Sequence, residues 1–219
     1  MAIITISRGT MSGGRMVAEC LGDMLGSPAV ANEVLQGAAL ELGISEDVVR
    51  EKFETAPGLW SRLNRDRRIY LLAVQTALAD RCVEGDLVYH GLAGQFLLRG
   101  VPGVLRVRLI APLEQRVGYL TRQHHRLSRA AAEEFIRHVD EERRRWVKVL
   151  FDADVDDPFL YELTVNQRWL SVETACAGIQ EAASHPAFEI TPDVRAELQA
   201  FAARCHERLA AELGRNVEV

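Results

Sequence analysis

The chain has 219 residues, of which 48% are hydrophobic and 26% charged, with a net charge of −5 at pH 7. This composition is typical of a globular protein with one sizeable domain and an appendage, and the acidic balance argues against a general nucleic-acid binder. No apolar run approaches the ~20 residues of a membrane span, no signal-peptide pattern is present, and the four cysteines are scattered without a C-x-x-C pair. We expect a cytoplasmic protein with reduced thiols and with neither a membrane nor a nucleic acid as its partner.

Residues 2–26 predict a strand, a tight loop and a helix. The apolar run ends at Ile6, a polar stretch with adjacent glycines follows, and apolar residues then recur at helical spacing from Val17 to Leu25. Gly26 stands where helices commonly end. In a parallel sheet this arrangement points main-chain N–H groups and a helix N-terminus at one place, which favours an anion.

The loop has the shape of the phosphate-binding pattern G-x-x-x-x-G-K-[ST] but departs from its letters. Counting back from the helix, Gly13 fits the second glycine, whereas the first glycine slot holds Arg8. The lysine slot holds Gly14 and the Ser/Thr slot holds Arg15. We expect Arg15 to replace the lost charge, but not the hydroxyl that ligates magnesium. An ordinary strand–turn–helix joint without a ligand is the alternative.

Strands and helices alternate along the rest of the chain. The patterns predict strands near 28–31, 87–89, 104–110 and 161–165, and helices at 32–42, from Ser45, at 59–84 (continuous or broken near Asn64), before Gly100, and at 113–123, 129–150 and 171–183. Such alternation predicts a doubly wound parallel sheet. Because ligands bind at the carboxyl ends of parallel strands, residues 7–15, 90–94, 111–116 and Asn166 should share one rim.

The tail, residues 185–219, carries its own helix signal. Thr191-Pro192-Asp193 is a strong helix start, an apolar stripe runs to Leu213, and Gly214 ends it. The stripe either packs on the same domain or forms the seam of a homodimer. Its single aromatic residue favours packing within the chain.

Residues 116–148 are rich in arginine. The basic residues are Arg116, Arg122, Arg126, Arg129, Arg137, Arg143, Arg144, Arg145 and Lys148. Interspersed acids such as Glu141 fit a solvated helix with i,i+4 pairs. The other interpretation is a mobile lid whose arginines close over phosphates, since a guanidinium binds phosphate oxygens in pairs and stays charged.

These features together resemble the cytidylate kinase-like proteins, relatives of cytidylate (CMP) kinase among the P-loop kinases. The segments that carry the resemblance are ITISRGTMSGGRMVAECLGDMLG, LELGISEDVV, VYHGLAGQFLL, GVLRVRLIAPLEQRV, HVDEERRRWV and DVDDPFLYELTVNQRWLSVETA. They follow the family's order over about residues 3–182. Their order and spacing are more specific than any one of them.

The resemblance implies an α/β fold of P-loop kinase type: three layers, a parallel sheet of about five strands, a helical lid and a C-terminal helix. It implies a kinase-like domain over residues 1–184, with acceptor-binding helices at about 30–65 and a lid at about 122–145, followed by a helical extension over 185–219. The implied cofactors are ATP and Mg²⁺, with no metal ligand assigned to the protein. Donor-binding residues would be Arg8, Ser12, Gly13, Gly14 and Arg15, and catalytic residues Arg15, Arg116, Arg122, Arg143 and Asp140. Asp157, Tyr161 and Asn166 match a family segment whose role is expected to be structural.

Three positions depart from the family pattern. Met11 stands where glycine is frequent, Ala31 where an aspartate is usual, and Leu92 where an arginine would hold the acceptor phosphate. Losing one charge-assisted phosphate contact costs ~1.5–3 kcal/mol. His90 partly substitutes in one interpretation and is an ordinary strand-end histidine in the other, which we favour.

The sequence is therefore compatible with three functions. The first is a kinase that transfers a phosphoryl group from ATP to a nucleoside monophosphate (CMP-like) or a related small acceptor. The second is a catalytically degenerate module that binds nucleotide or phosphate as a sensor or interaction partner. The third is an interaction protein that binds no nucleotide and pairs through the helix of residues 191–213.

Overall fold

The structure, a computed structural model, describes residues 2–54 and 65–214 of the chain. Five strands form one sheet: β1 (Ile3–Arg8), β2 (Ala29–Val30), β3 (Leu87–Tyr89), β4 (Val104–Ile110) and β5 (Leu163–Asn166). Their spatial order is β2-β3-β1-β4-β5, and every pairing is parallel. The first strand therefore lies at the centre of the sheet, and its carboxyl end opens into the glycine-bearing loop.

Nine α-helices connect and cover these strands within the described ranges. They are α1 (Gly14–Leu25), α2 (Asn32–Leu42), α3 (Glu46–Glu54), α4 (Arg65–Glu84), α5 (Gly94–Leu97), α6 (Leu113–Gln123), α7 (Arg129–Phe151), α8 (Val172–Ala183) and α9 (Pro192–Leu213).

Apolar side chains are buried on both faces of the sheet. Along β1, Ile3 belongs to a cluster with α2, α4, α7 and α9, whereas Ile4 belongs to a cluster with α1 and α8. Successive side chains of a strand point to opposite faces of the sheet, so consecutive buried apolar residues show that helices cover both faces of β1. The predicted three-layer α/β/α fold with a five-stranded parallel sheet is confirmed.

Most predicted elements are confirmed, with small differences at their ends. The last strand begins at Leu163 rather than residue 161, because Tyr161 turns inward and its hydroxyl donates to Val155 O over 2.8 Å. The helix predicted at 113–123 has these same bounds, with Pro112 at its N-cap position. The predicted helix 59–84 is described from Arg65, and its first part with the Asn64 break lies outside the described residues.

The tail helix α9 packs on α4 of the same chain. Leu198, Cys205 and Leu209 are buried in this contact, and His206 pairs with Asp80 over 2.9 Å at its edge. The apolar stripe is thus covered within the chain, as the sequence favoured. Throughout the described ranges, no helix has both the length and the apolar character needed to span a bilayer.

Candidate functional site

The loop between β1 and α1 forms a compact turn at the carboxyl edge of the sheet. Gly13 adopts φ 76°, in the left-handed region that suits glycine, and α1 begins at the next residue. The buried Ser12 hydroxyl donates to Gly9 O over 2.8 Å, which closes the turn on itself. The first N–H groups of α1 have no partner within the helix, so this end of the loop can accept an anion.

Thr10, at the centre of the loop, is held by two neighbouring helices. Its main-chain N–H donates to Asp140 Oδ1 over 2.8 Å, and its carbonyl accepts from Arg116 over 3.1 Å. Its hydroxyl accepts from Arg143 over 3.1 Å. Arg116 also donates to Asp140 Oδ2 over 2.5 Å. The loop is therefore fixed to α6 and α7 by residues predicted to be catalytic.

The charge of Asp140 is stabilised in this contact. Burial alone would raise the pKa of this carboxyl, but hydrogen bonds from Arg116 and Thr10 outweigh it and lower the pKa below its usual value. Asp140 therefore stays ionised at neutral pH and holds the Thr10 amide as a bound anion would.

Arg8, the last residue of β1, runs across the start of α1. A Cβ atom added to Gly14 would lie 1.9 Å from Arg8 Cδ, so only glycine fits at position 14 while Arg8 takes this path. Burial, and then the nearby Arg143, lower the pKa of Arg8 to about 10. Burial also lowers the pKa of Arg143. Arg8 still remains protonated at neutral pH, and two cations meet beside the loop.

A cleft of about 810 Å³ opens in front of the loop, between the sheet edge, α2, α3 and α7. Its walls include both loop residues and the predicted acceptor-side helices, with basic residues at Arg8, Arg15, Arg50, Arg108, Arg116, Arg143 and Arg144. Acidic side chains, including Glu54 and Asp156, lie among them. Ligand clefts usually measure about 300–1,000 Å³, so the volume suits a donor and a small acceptor.

Two arginines of this cleft were missed by the sequence reasoning. Arg108 bonds Ser7 Oγ and Asp156, while its buried Nε has no hydrogen-bond partner. Arg50, on α3, pairs with Glu46 and, over 3.6 Å, with Glu54. The signal for Arg108 was present, since it alternates with apolar residues near the carboxyl end of β4. For Arg50 nothing in the sequence distinguished it from a solvated helix arginine.

Gln167 was also missed. It follows β5, is buried, and would have its Oε1 2.8 Å from a Cβ added to Gly13. Its Nε2 is buried without a hydrogen-bond partner. A donor left unsatisfied beside the loop is a feature that a bound polar group would correct.

The structure does not bring all predicted site residues together. Arg8, Arg116, Asp140 and Arg143 converge on the loop, whereas Arg122 is exposed on α6 and does not line the cleft. Arg15 lies at the cleft edge with a 78% exposed side chain that pairs with Glu19 over 2.7 Å. The predicted roles of Arg15 and Arg122 stay predictions.

The departures from the family pattern have local explanations. Met11 packs with apolar residues of α6 and α7 instead of filling the loop. The N–H of Ala31 donates to Glu33 Oε2 over 3.0 Å, so an acidic side chain lies at the start of α2 although position 31 has no aspartate. Leu92 packs against the core at the cleft wall. Burial, and then the nearby Arg8, lower the pKa of His90, so His90 itself does not supply a cation in place of the absent arginine at neutral pH.

Magnesium finds no ready ligand set in these residues. The Ser/Thr slot holds Arg15, and the Ser12 hydroxyl is used by Gly9. Across residues 2–54 and 65–214, no three histidine, cysteine or acidic side chains gather as metal ligands. The described residues therefore form no metal site made of protein side chains alone, and Mg²⁺ would have to be held largely by the nucleotide phosphates. The loop and its orphan Gln167 amide do fit the phosphates of a nucleotide.

The family model of the cytidylate kinase-like family matches residues 3–168. The chain belongs to the cytidylate kinase-like family. No curated protein matches it. An uncharacterized protein from Eubacterium ventriosum is similar in structure, with a TM-score of 0.66, 15% identity, and 84% of this chain and 100% of that chain covered. A shikimate kinase from Bacteroides thetaiotaomicron gives a TM-score of 0.50 at 10% identity, over 84% of this chain and 99% of that one. At such identities these likenesses show the fold alone.

Proposed function

We propose that this family member is a kinase that transfers a phosphoryl group from ATP to a small acceptor, a nucleoside monophosphate such as CMP or a related compound. Membership in a kinase-like family supports nucleotide-dependent phosphoryl transfer in general. The acceptor class is our extension, based on the resemblance and on the cleft. In the reaction, an acceptor oxygen would bond to the γ-phosphorus while the bond to the β-phosphate oxygen breaks and ADP leaves.

One observation carries the proposal: the phosphate-binding loop and the predicted acceptor-side helices line a single cleft. Phosphoryl transfer needs reactants in line and positive charge on the transferring oxygens, but little covalent help from protein. Arg8 and Arg143 lie at the loop end of this cleft, and Arg50 lies at the acceptor end. This distribution of positive charge supports the proposal, because negative charge on a phosphoryl group in transfer between donor and acceptor needs nearby cations.

Each residue then has a distinct role. The amides of Gly13 and Gly14 bind donor phosphates, and Arg8 and Arg143 neutralise the transferring group. Arg116 and Asp140 act as positioning residues, because both hold Thr10 and thereby the loop. Arg122 would join them only if the predicted lid of residues 122–145 moved.

The test is acceptor-dependent turnover. The purified chain is mixed with MgATP and a panel of nucleoside monophosphates, and ADP release is followed with and without each acceptor. We expect one acceptor to raise ADP release well above the ATP-only rate, and Arg143→Ala to lower kcat/KM for it. Absence of stimulation by any acceptor would contradict the kinase proposal.

A second candidate is a nucleotide-binding module without catalysis. It is favoured by one contact, because the Asp140 carboxylate already accepts the hydrogen bond of the Thr10 N–H in the loop. The sequence agrees with it, since neither the lysine nor the hydroxyl residue of the phosphate-binding pattern is present. Calorimetry of ATP binding, together with the turnover assay, separates the two candidates. ATP binding without turnover for any acceptor supports the module, whereas acceptor-stimulated ADP release excludes it.

A further inference from the structure

The phosphate-binding pattern places its cation on the first residue of the helix, where this chain has Gly14. It places a glycine at the end of the strand, where this chain has Arg8. The two residue types have thus exchanged positions. In the folded chain, the Arg8 side chain passes through the space in which a side chain of residue 14 would begin, since its Cδ lies 1.9 Å and its Nε 2.8 Å from that missing Cβ.

We propose that Arg8 performs the role of the missing loop lysine, so that the cation for the donor phosphates reaches the loop from the strand rather than from the helix. This inference rests on the proposed nucleotide binding. On this view, Arg8 and Gly14 depart from the pattern together. Glycine at position 14 leaves the space that the Arg8 side chain occupies, and Arg8 supplies the positive charge of the loop.

The surroundings of Arg8 point to an anionic ligand. Among the described residues Arg8 makes no ion pair within 4 Å, although it is half-buried and lines the cleft. Its neighbour Arg143 is also a cation, and the Arg143 side chain bonds the Thr10 hydroxyl on the same loop. Two guanidinium groups kept close together repel each other. The charges of Glu54, near both groups, and of Asp140, near Arg143, offset part of this repulsion, and an anion bound between the two groups relieves the rest.

Arg15, the replacement that the sequence favoured, has a different environment. Its guanidinium already has a carboxylate partner in Glu19, and its side chain is 78% exposed. A surface pair of this kind contributes little and is screened by salt. The geometry therefore assigns the phosphate contact to Arg8 ahead of Arg15.

The experiment measures MgATP affinity by calorimetry for the wild type and for Arg8→Met, Arg8→Lys and Arg15→Ala. Methionine keeps an apolar stem against Gly14 while removing the charge. We expect Arg8→Met to weaken ATP binding by about 10- to 100-fold, and Arg8→Lys to restore part of the loss. Arg204→Ala, an exposed arginine of α9 outside the cleft, serves as the control for losing one positive charge. Wild-type affinity in Arg8→Met, or a larger loss in Arg15→Ala, would overturn the proposal.

A merely structural role for Arg8 is distinguished by thermal unfolding without ligand. Because its charge lies beside Arg143, Arg8→Met should keep or raise the melting temperature while it weakens ATP binding. A lowered melting temperature with unchanged affinity would show a structural residue instead and overturn the proposal.

The reciprocal exchange tests the coupling of the two positions. Arg8→Gly alone should lose ATP binding, Gly14→Lys alone should collide with Arg8 and lower stability, and the double variant should bind ATP better than Arg8→Gly. A folded double variant that binds no better than Arg8→Gly would contradict the exchange. ATP binding that depends on Arg8 without acceptor turnover would refute only the kinase proposal, whereas ATP binding and turnover that ignore Arg8 would refute only this inference.

Discussion

Thr10 shows how single residues shape this site. Its three polar groups bond Asp140, Arg116 and Arg143, which come from two helices. A loop that must present amides to phosphates needs a fixed backbone, and here the helix layer supplies it through one buried threonine. Under the proposed function, the residues around Thr10 would affect ligand binding both by their charge and by the loop conformation that they hold.

Gly13 has a left-handed backbone conformation that favours glycine, and Met11 of the same loop also has a positive φ, of 60°. The φ of 76° at Gly13 disfavours any side chain, and an added Cβ would lie 2.8 Å from Gln167 Oε1. We expect Gly13→Ala to lower the free energy of unfolding by about 1–2 kcal/mol and to weaken ATP binding. Urea unfolding and calorimetry measure the two effects.

Gly178→Ala is the matched control. Gly178 lies within α8, and an added Cβ meets nothing within 4 Å. Alanine there should raise the free energy of unfolding by about 0.5–1 kcal/mol. If Gly13→Ala and Gly178→Ala changed the free energy of unfolding equally, the left-handed conformation of Gly13 would be contradicted.

Asp140 predicts a dependence of stability on pH. Its pKa is lowered in the fold, so its contribution is present above the pKa of an unfolded aspartate, about 4, and is lost as pH falls through the lower folded value. We expect Asp140→Asn to cost about 1.5–3 kcal/mol at pH 7 and progressively less below pH about 4. Urea unfolding of both proteins over this pH range measures the difference.

Arg116 provides the check on that result, because it donates to the same carboxylate. Arg116→Gln should reduce the same pH dependence, and adding Asp140→Asn to it should cost less than in the wild type. Fully additive costs would show that the two residues do not act as a pair.

At the scale of elements, the two ends of α7 pack in two different hydrophobic clusters. Near its start, Ile136 packs with α6 in a small separate cluster. Towards its end, Trp146 is buried in the main core, and its indole N–H donates to Phe53 O over 2.7 Å. The predicted lid of residues 122–145 is therefore continuous with an anchored helix end, and any closing motion would have to bend or tilt α7 about that anchor.

Trp146 gives the corresponding prediction. Trp146→Phe removes the donor to Phe53 O in a buried place, and we expect a cost of about 1–3 kcal/mol in the free energy of unfolding. Trp169→Phe makes the same change at a side chain that is 84% exposed, and should stay within about 0.5 kcal/mol of the wild type. Chemical unfolding of the two variants compares them, and similar costs would argue against Trp146 as the anchor of α7.

The elements could be predicted because their signals are local. Ser128, Ser171 and Thr191 each stand directly before a helix, and the side-chain oxygen of each accepts a hydrogen bond from an N–H group in the first turn of that helix. The family order of the segments then placed those elements in a known fold. Most of the fold was thus available from the sequence, apart from element ends set by distant contacts, such as Tyr161 with Val155.

The site could be predicted only in part, since much of it is made by contacts between distant residues. Arg116, Asp140 and Arg143 were identified from motifs, but their common target Thr10 was not. The course of Arg8 over Gly14 depends on the backbone at the end of β1 and has no periodic signal. Arg50, Arg108 and Gln167 come to the site from elements whose residue patterns also fit ordinary surfaces.

At the scale of the whole molecule, the cleft has a small excess of positive charge, with seven arginines against six acidic residues in its lining, although the chain is acidic. The net charge is −5, yet arginines from β1, α3, β4, α6 and α7 face one cleft. Focused positive potential in a cleft attracts anions and speeds their association, more strongly at low salt. This distribution suits a small phosphorylated ligand better than an extended polyanion.

The C-terminal helix completes the core on the far side of the sheet from α1. Leu209 is buried against α4, so Leu209→Ala should lower the free energy of unfolding by about 2–5 kcal/mol. Leu40→Ala, at a side chain that is 84% exposed, should change it by less than about 0.5 kcal/mol. Denaturant unfolding measures both. Wild-type stability in Leu209→Ala would mean that the tail does not belong to the core, and would revive the homodimer seam that remains a prediction from the sequence.

The continuity of α7 has a practical result for anyone studying ligands of this protein. Arg143, which bonds the Thr10 hydroxyl, lies less than one turn before the buried Trp146. A molecule that draws Thr10 away from its helix partners must disturb the helix segment that carries this indole. The sequence has three tryptophans, so the Trp60→Phe, Trp169→Phe double variant keeps Trp146 alone. We expect its tryptophan emission to change when nucleotide binds, which would measure occupancy without labels and without any turnover.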